Sequence, residues 1–119
     1  MFIEHIAFAV SDPEAAAAWY SAQFGMRIVG RGGGGDVFVA DDCGRVMLQF
    51  EDARRITPDP GEGPLDYRGR DMRRLHLAFW AEDVAGELTR LLAAGATADD
   101  AVTTTPAGDV MVTIRDPWG

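Results

Sequence analysis

The chain has 119 residues, 47% of them hydrophobic and 25% charged, which suits one compact globular domain of ordinary composition. Its 11 basic and 19 acidic side chains leave a net charge of −8, a field that repels phosphate backbones and excludes general binding to nucleic acid or anionic membrane surfaces. A single cysteine, Cys43, excludes an internal disulfide, and no apolar run approaches the roughly 18–20 residues of a membrane span, so a cytoplasmic protein is expected.

Residues 2–10 alternate with period two, Ile6, Phe8 and Val10 on one face and His5, Ala7 and Ala9 on the other, and predict a strand. The N-terminus lacks a basic leader and does not read as a signal peptide. Ser11-Asp12-Pro13-Glu14 then reads as a Ser-x-x-Glu capping box with proline near the first helical position. The alanine-rich helix it opens carries Trp19, Tyr20 and Phe24, which are expected to anchor it to the core, and stops at Gly25. Three strands are predicted next, at 26–29, 36–40 and 45–50, separated by glycine-rich or polar turns.

Residues 52–72 show no periodicity and hold three prolines and three glycines, the composition of a connector that is either a solvated linker or a lid. Beyond it the first pattern returns. Leu75, Leu77 and Phe79 alternate with His76, Ala78 and Trp80, predicting a strand. Asp83 can cap a helix with an apolar stripe of Val84, Leu88, Leu91 and Leu92, ended by Gly95. Strands are predicted at 96–104 and 109–115.

The two halves keep register. His5 and His76 lie 71 residues apart, as do Asp12 and Asp83, while Gly25 and Gly95 are 70 apart. DVFVA at 36–40 matches DVMVT at 109–113 at a spacing of 73. A register held over four landmarks identifies an internal duplication, and both histidines of the protein fall at the same place in each copy.

Two copies of a β-α-β-β-β plan, carried by HIAFAVSDPEAAAAWYSAQFGM, GRVMLQF, LHLAFWAED and the closing RDPWG, resemble the vicinal oxygen chelate superfamily of glyoxalases, bleomycin resistance proteins and dioxygenases. The likeness spans essentially the whole chain. It implies an α+β fold of two tandem units forming an open, curved mixed sheet. A single domain over 1–119 is expected, with a first unit at 1–51, the connector at 52–72 and a second unit at 73–119. The turn Asp116-Pro117-Trp118-Gly119 matches the one that ends at Gly44 and precedes the last strand of the first copy, so the second unit reads as lacking its last strand.

The resemblance also implies a divalent metal (Zn, Ni, Mn or Fe), with His5, His76 and Gln49 at family ligand positions. Gln49 stands where a glutamate is common, and the fourth position would follow Gly119. Glu51, on the same strand face as Gln49, could supply charge or act as a base. Met47, Ala78 and Trp80 are candidate pocket walls. The expected activity is metal-dependent lyase, isomerase or dioxygenase chemistry on a small oxygen-rich metabolite bound through two adjacent oxygens. The alternatives are a metal-free module of the same fold that sequesters a drug-like or aromatic ligand, and a structural or regulatory protein with no small-molecule site. Homodimerisation is expected.

Other signals carry less. Gly30-Arg31-Gly32-Gly33-Gly34-Gly35 fits G-x-G-x-x-G but precedes a strand, so no helix N-terminus is available for a pyrophosphate, and a hairpin turn is expected. Cys43 sits beside two aspartates that disfavour its thiolate. Arg54, Arg55, Arg68, Arg70, Arg73 and Arg74 are expected to be solvated, with steering of an anionic substrate as the other reading.

Overall fold

The computed structural model describes residues 3–57, 67–71 and 75–119. Its elements, in chain order, are β1 (His5–Val10), α1 (Pro13–Phe24), β2 (Arg27–Arg31), β3 (Val37–Ala40), β4 (Met47–Asp52), a 3₁₀ turn (Ala53–Arg55), α2 (Val84–Ala93), β5 (Thr97–Ala98), β6 (Thr103–Thr104), β7 (Val110–Met111) and β8 (Ile114–Arg115). They divide into two units, Met1–Leu65 and Asp66–Gly119, each α+β with one helix. Among the described residues no helix is long and apolar enough to cross a membrane.

In the first unit the four strands form one mixed sheet in the order β1-β4-β3-β2. β4 runs parallel to β1, pairing His5 with Met47, Ala7 with Gln49 and Ala9 with Glu51, and antiparallel to β3, pairing Phe38 with Gln49. Period two then separates two faces. Ile6, Phe8, Val10, Val37, Val39, Leu48 and Phe50 share one, and α1 packs on it, with Tyr20 and Phe50 ring centroids 5.0 Å apart. The helix turns Pro13, Ala16, Ala17 and Tyr20 inward, a stripe of mostly small side chains that lets its backbone approach the sheet closely. β4 begins and ends two residues later than predicted, so Glu51 and Asp52 belong to the strand and not to its exit.

The N-cap of α1 is Asp12 instead of Ser11: its Oδ1 accepts from the Ala15 N–H at 3.0 Å. Asp12 precedes Pro13, which forces it to be extended, and its negative charge faces the positive end of the helix. Glu14, freed from the expected capping box, takes a bidentate contact from Arg31 on β2, at 2.6 and 3.0 Å. That hydrogen-bonded guanidinium lowers the Glu14 pKa. Gly25 follows the helix at φ +66°, the left-handed conformation that glycine adopts without a Cβ penalty. The glycine run after β2 makes the expected hairpin turn, Gly32 N–H donating to the Asp36 carbonyl at 2.9 Å. β2 is one of the two edge strands, and its register slips between Ile28 and Gly30, a bulge of the kind that blunts sheet edges.

In the second unit Asp83 caps α2 as expected, accepting from the Gly86 N–H at 2.9 Å, and Gly95 follows the helix at φ +98°. Leu91 is buried, Val84 and Leu88 are half-buried and Leu92 is exposed, so the stripe is only partly covered. The strands predicted at 96–104 and 109–115 are each broken in two, leaving an interrupted hairpin in which β5 pairs with β8 and β6 with β7. The break follows Ala98, where Asp99 and Asp100 disfavour strand and Asp99 turns to Arg115, Nε to Oδ1 2.9 Å.

Residues 75–81, predicted to start with a strand, form no ladder with the described residues. The first unit supplies the physical reason, because there β1 has β4 as its sole strand neighbour and no described segment of residues 67–119 takes that place. The turns preceding that place agree closely in the two units. Gly44 N–H donates to the Asp41 carbonyl and Oδ1 at 3.1 and 2.9 Å, and Gly119 N–H to the same atoms of Asp116 at 3.1 and 3.0 Å. Most of the connector, residues 58–66, and Arg73 and Arg74 lie outside the described residues.

Candidate functional site

The sheet face opposite α1 gathers the chemistry of the first unit. Register places His5, Ala7 and Ala9 of β1, Met47, Gln49 and Glu51 of β4, and Phe38 of β3 on this one face. Four sequence-predicted residues, His5, Met47, Gln49 and Glu51, are thereby brought together on adjacent strands.

His5 is partly exposed at the start of β1, and its Nδ1 lies 2.5 Å from Glu4 Oε2. A carboxylate accepts and does not donate, so the pair puts the imidazole proton on Nδ1 and leaves Nε2 as a lone-pair donor. The ring leans over β4 to meet Phe38 edge to face, centroids 6.0 Å apart. Gln49, on the strand beneath, is 8% exposed. Its Nε2 donates to Glu51 Oε1 at 3.1 Å, and among the described residues its amide oxygen has no hydrogen-bond donor. A nitrogen and an amide oxygen are thus uncommitted on one face, a donor pair that suits borderline divalent cations. Among the described residues no group of three His, Cys, Asp or Glu side chains stands ready for a metal, so the first unit offers part of a ligand set.

His76, Ala78 and Trp80 belong to the second unit, in the unladdered segment 75–81, where His76 is exposed and Trp80 is 85% exposed. The same unit holds a pocket of about 380 Å³ lined by Arg68, Thr97, Asp99, Arg115 and Asp116 among others. Its central cation is already spent. Arg115 binds Asp99, and its remaining N–H groups go to the carbonyls of Tyr67, Gly119 and Arg70 at 2.8–3.2 Å.

Three of the arginines expected to be solvated, Arg54, Arg55 and Arg68, have partners. Arg54 binds Asp52 through side chain and backbone, and these hydrogen bonds lower the Asp52 pKa to about 2. Arg55 reaches Asp36 at 3.2 Å, and Arg68 donates to the Pro117 carbonyl at 2.9 Å. Cys43 is exposed in its turn. Sequence reasoning missed Glu4, Phe38 and Arg115. Glu4 was legible as the neighbour of His5, whereas Phe38 needed the register of three strands and Arg115 the closure of two distant turns.

These features meet on a sheet-and-helix unit followed by a second of related plan, and the class is confirmed by comparison. The chain belongs to the Glyoxalase/Bleomycin resistance protein/Dioxygenase superfamily, whose family model matches residues 2–119. It is similar to the lactoylglutathione lyase from Agrobacterium tumefaciens, with 30% identity over 98% of this chain and 87% of that one, and a TM-score of 0.64. A superfamily member from Sphaerobacter thermophilus DSM 20745 shares the fold at TM-score 0.72 and 19% identity, covering 100% of this chain and 91% of its own. TioX from Micromonospora sp. ML1 does so at TM-score 0.66 and 22% identity, covering 100% and 93%. No curated protein matches the chain at a significant level.

Proposed function

We propose that this protein is a divalent-metal-dependent enzyme acting on a small oxygen-rich metabolite through two adjacent substrate oxygens. His5 Nε2, the Gln49 amide oxygen and His76 would hold the ion (Zn, Ni, Mn or Fe). The observation that carries the reading is the pairing of an uncommitted imidazole nitrogen and an uncommitted amide oxygen on one face of β1 and β4. When bound, such an ion supplies Lewis acidity towards the two substrate oxygens. The chain's own part is to fix the donors: Glu4 selects the His5 tautomer, and Phe38 limits the swing of its ring. Met47, Ala78 and Trp80 would wall the substrate, and a cytoplasmic homodimer is the form we infer. The likeness to a lactoylglutathione lyase at 30% identity supports lyase chemistry among the superfamily's reactions.

Metal analysis of protein purified without chelator tests this, together with thermal shifts on adding nickel, zinc, manganese or iron(II). Stoichiometric metal, lost in His5→Ala and in His76→Ala, is the expected result. No metal and no shift with any of the four would sink the reading.

A second reading, a metal-free module that sequesters a drug-like or aromatic ligand, is favoured by the neutrality of the donor set. Two imidazoles and an amide leave the charge of a divalent cation uncompensated. A small-molecule thermal shift that survives both histidine substitutions would select it.

A further inference from the structure

We infer that Glu51 is the positioning residue of Gln49: its carboxylate holds the amide nitrogen, so that the amide oxygen is the end left to bind the cation. This rests on the metal reading above and moves Glu51 from proton transfer to support of a ligand.

The two ends of a primary amide have opposite uses. The oxygen can donate a lone pair to a cation, while the NH₂ group repels it, and the terminal torsion of glutamine is broad and nearly two-fold. An untethered Gln49 would divide its time between a binding and a non-binding orientation. The 3.1 Å contact from Nε2 to Glu51 Oε1 removes that freedom. The assignment of the amide ends follows from chemistry, because the flipped amide would set its oxygen against a carboxylate oxygen, two acceptors with no proton between them.

Polarisation adds to orientation. An N–H bond to a carboxylate draws electron density towards the amide oxygen, and the effect is strongest where water is scarce. Gln49 is buried and Glu51 half-buried, and the two residues stand on β4, the strand held on both sides by β1 and β3. The side chains on the opposite face anchor it further, with Phe50, between them in sequence, packed against Tyr20. The negative charge that a glutamate at position 49 would carry directly is thus returned one step back from the cation.

Two measurements on the full chain test this: nickel(II) titration by calorimetry, and NMR of the Gln49 side-chain NH₂ in the metal-free protein, using wild type, Glu51→Ala, Glu51→Gln and His5→Ala. The inference expects Glu51→Ala to weaken nickel binding roughly 10–100-fold, the loss usual for a support of a metal ligand. Glu51→Gln, which keeps an acceptor oxygen but not the charge, should recover part of that loss. In Gln49→Glu the further change Glu51→Ala should no longer weaken binding, because the carboxylate there needs no amide to be turned. The Gln49 NH₂ signals should be shifted and exchange-protected in wild type and return to solvent-exposed values in Glu51→Ala. Wild-type nickel affinity in Glu51→Ala, with His5→Ala binding none, would overturn the inference and leave the metal reading intact. Unchanged Gln49 signals in Glu51→Ala would overturn it whatever the metal does. No nickel binding by wild type with a protected amide would overturn the metal reading and the ligand role, while upholding the hold of Glu51 on Gln49.

Discussion

The imidazole of His5 and the ring of Phe38 meet edge to face at 6.0 Å although β4 runs between their strands. Both side chains reach over β4, so the histidine is drawn across the sheet towards β3 instead of pointing off its edge. A residue of β3 thus helps to orient a candidate ligand of β1, and the face opposite α1 is assembled by three strands at once.

That face depends on the one behind it. Phe50 is 2% exposed and packs against Tyr20, so Phe50→Ala should cost about 3–5 kcal/mol, the range for a buried phenylalanine. Urea unfolding should show a lower midpoint with the slope unchanged.

The helix cap separates two neighbouring side chains. Asp12→Ala removes the oxygen that accepts from Ala15 N–H and should cost about 1 kcal/mol, whereas Ser11→Ala should stay within about 0.5 kcal/mol. Equal losses in the two variants, measured by thermal unfolding, would return the cap to Ser11.

Arg115 ties the segment at 67–70 to the turn at 116–119 through three backbone carbonyls, besides its ion pair with Asp99. Arg115→Ala leaves that carboxylate and those carbonyls without their donor and should cost about 3 kcal/mol. Arg115→Lys should rescue little, since a single ammonium cannot span the fork. Hydrogen exchange localised to residues 67–71 and 113–119 is the fitting probe.

Asp52 sets an acid limit. Its pKa is lowered from 3.8 to about 2 by the hydrogen bonds from Arg54, so the pair contributes fully above the unfolded value. The contribution is lost as pH falls through the folded value, over the window from about 4 to about 2. Wild type should therefore exceed Asp52→Asn in stability at pH 5 and above, and the two should converge near pH 2. A constant gap across that range would refute the link.

Much of the site was legible in the sequence because its signals are local. Period two put His5 opposite Ile6 and Phe8, and Gln49 and Glu51 on one strand face, and the sheet keeps both assignments. The cap at Asp83 and the glycines at 25 and 95 likewise act over one helical turn, whereas the cap of α1 moved from the expected Ser11 to Asp12. The break after Ala98 was not legible, because it expresses a contact between Asp99 and Arg115, 16 residues apart. Nor were the partners of Arg54, Arg55 and Arg68, since composition alone cannot tell a solvated guanidinium from a paired one.

The sequence by itself determined the duplication, the family and which residues share a strand face, because repeat spacing and hydrophobic period are properties of the chain. Tertiary structure alone decided which donors remain free. Strand register brings Phe38 to the ring of His5, and hydrogen bonding to Glu4 and to Glu51 commits one end of His5 and of Gln49 and leaves the other to bind.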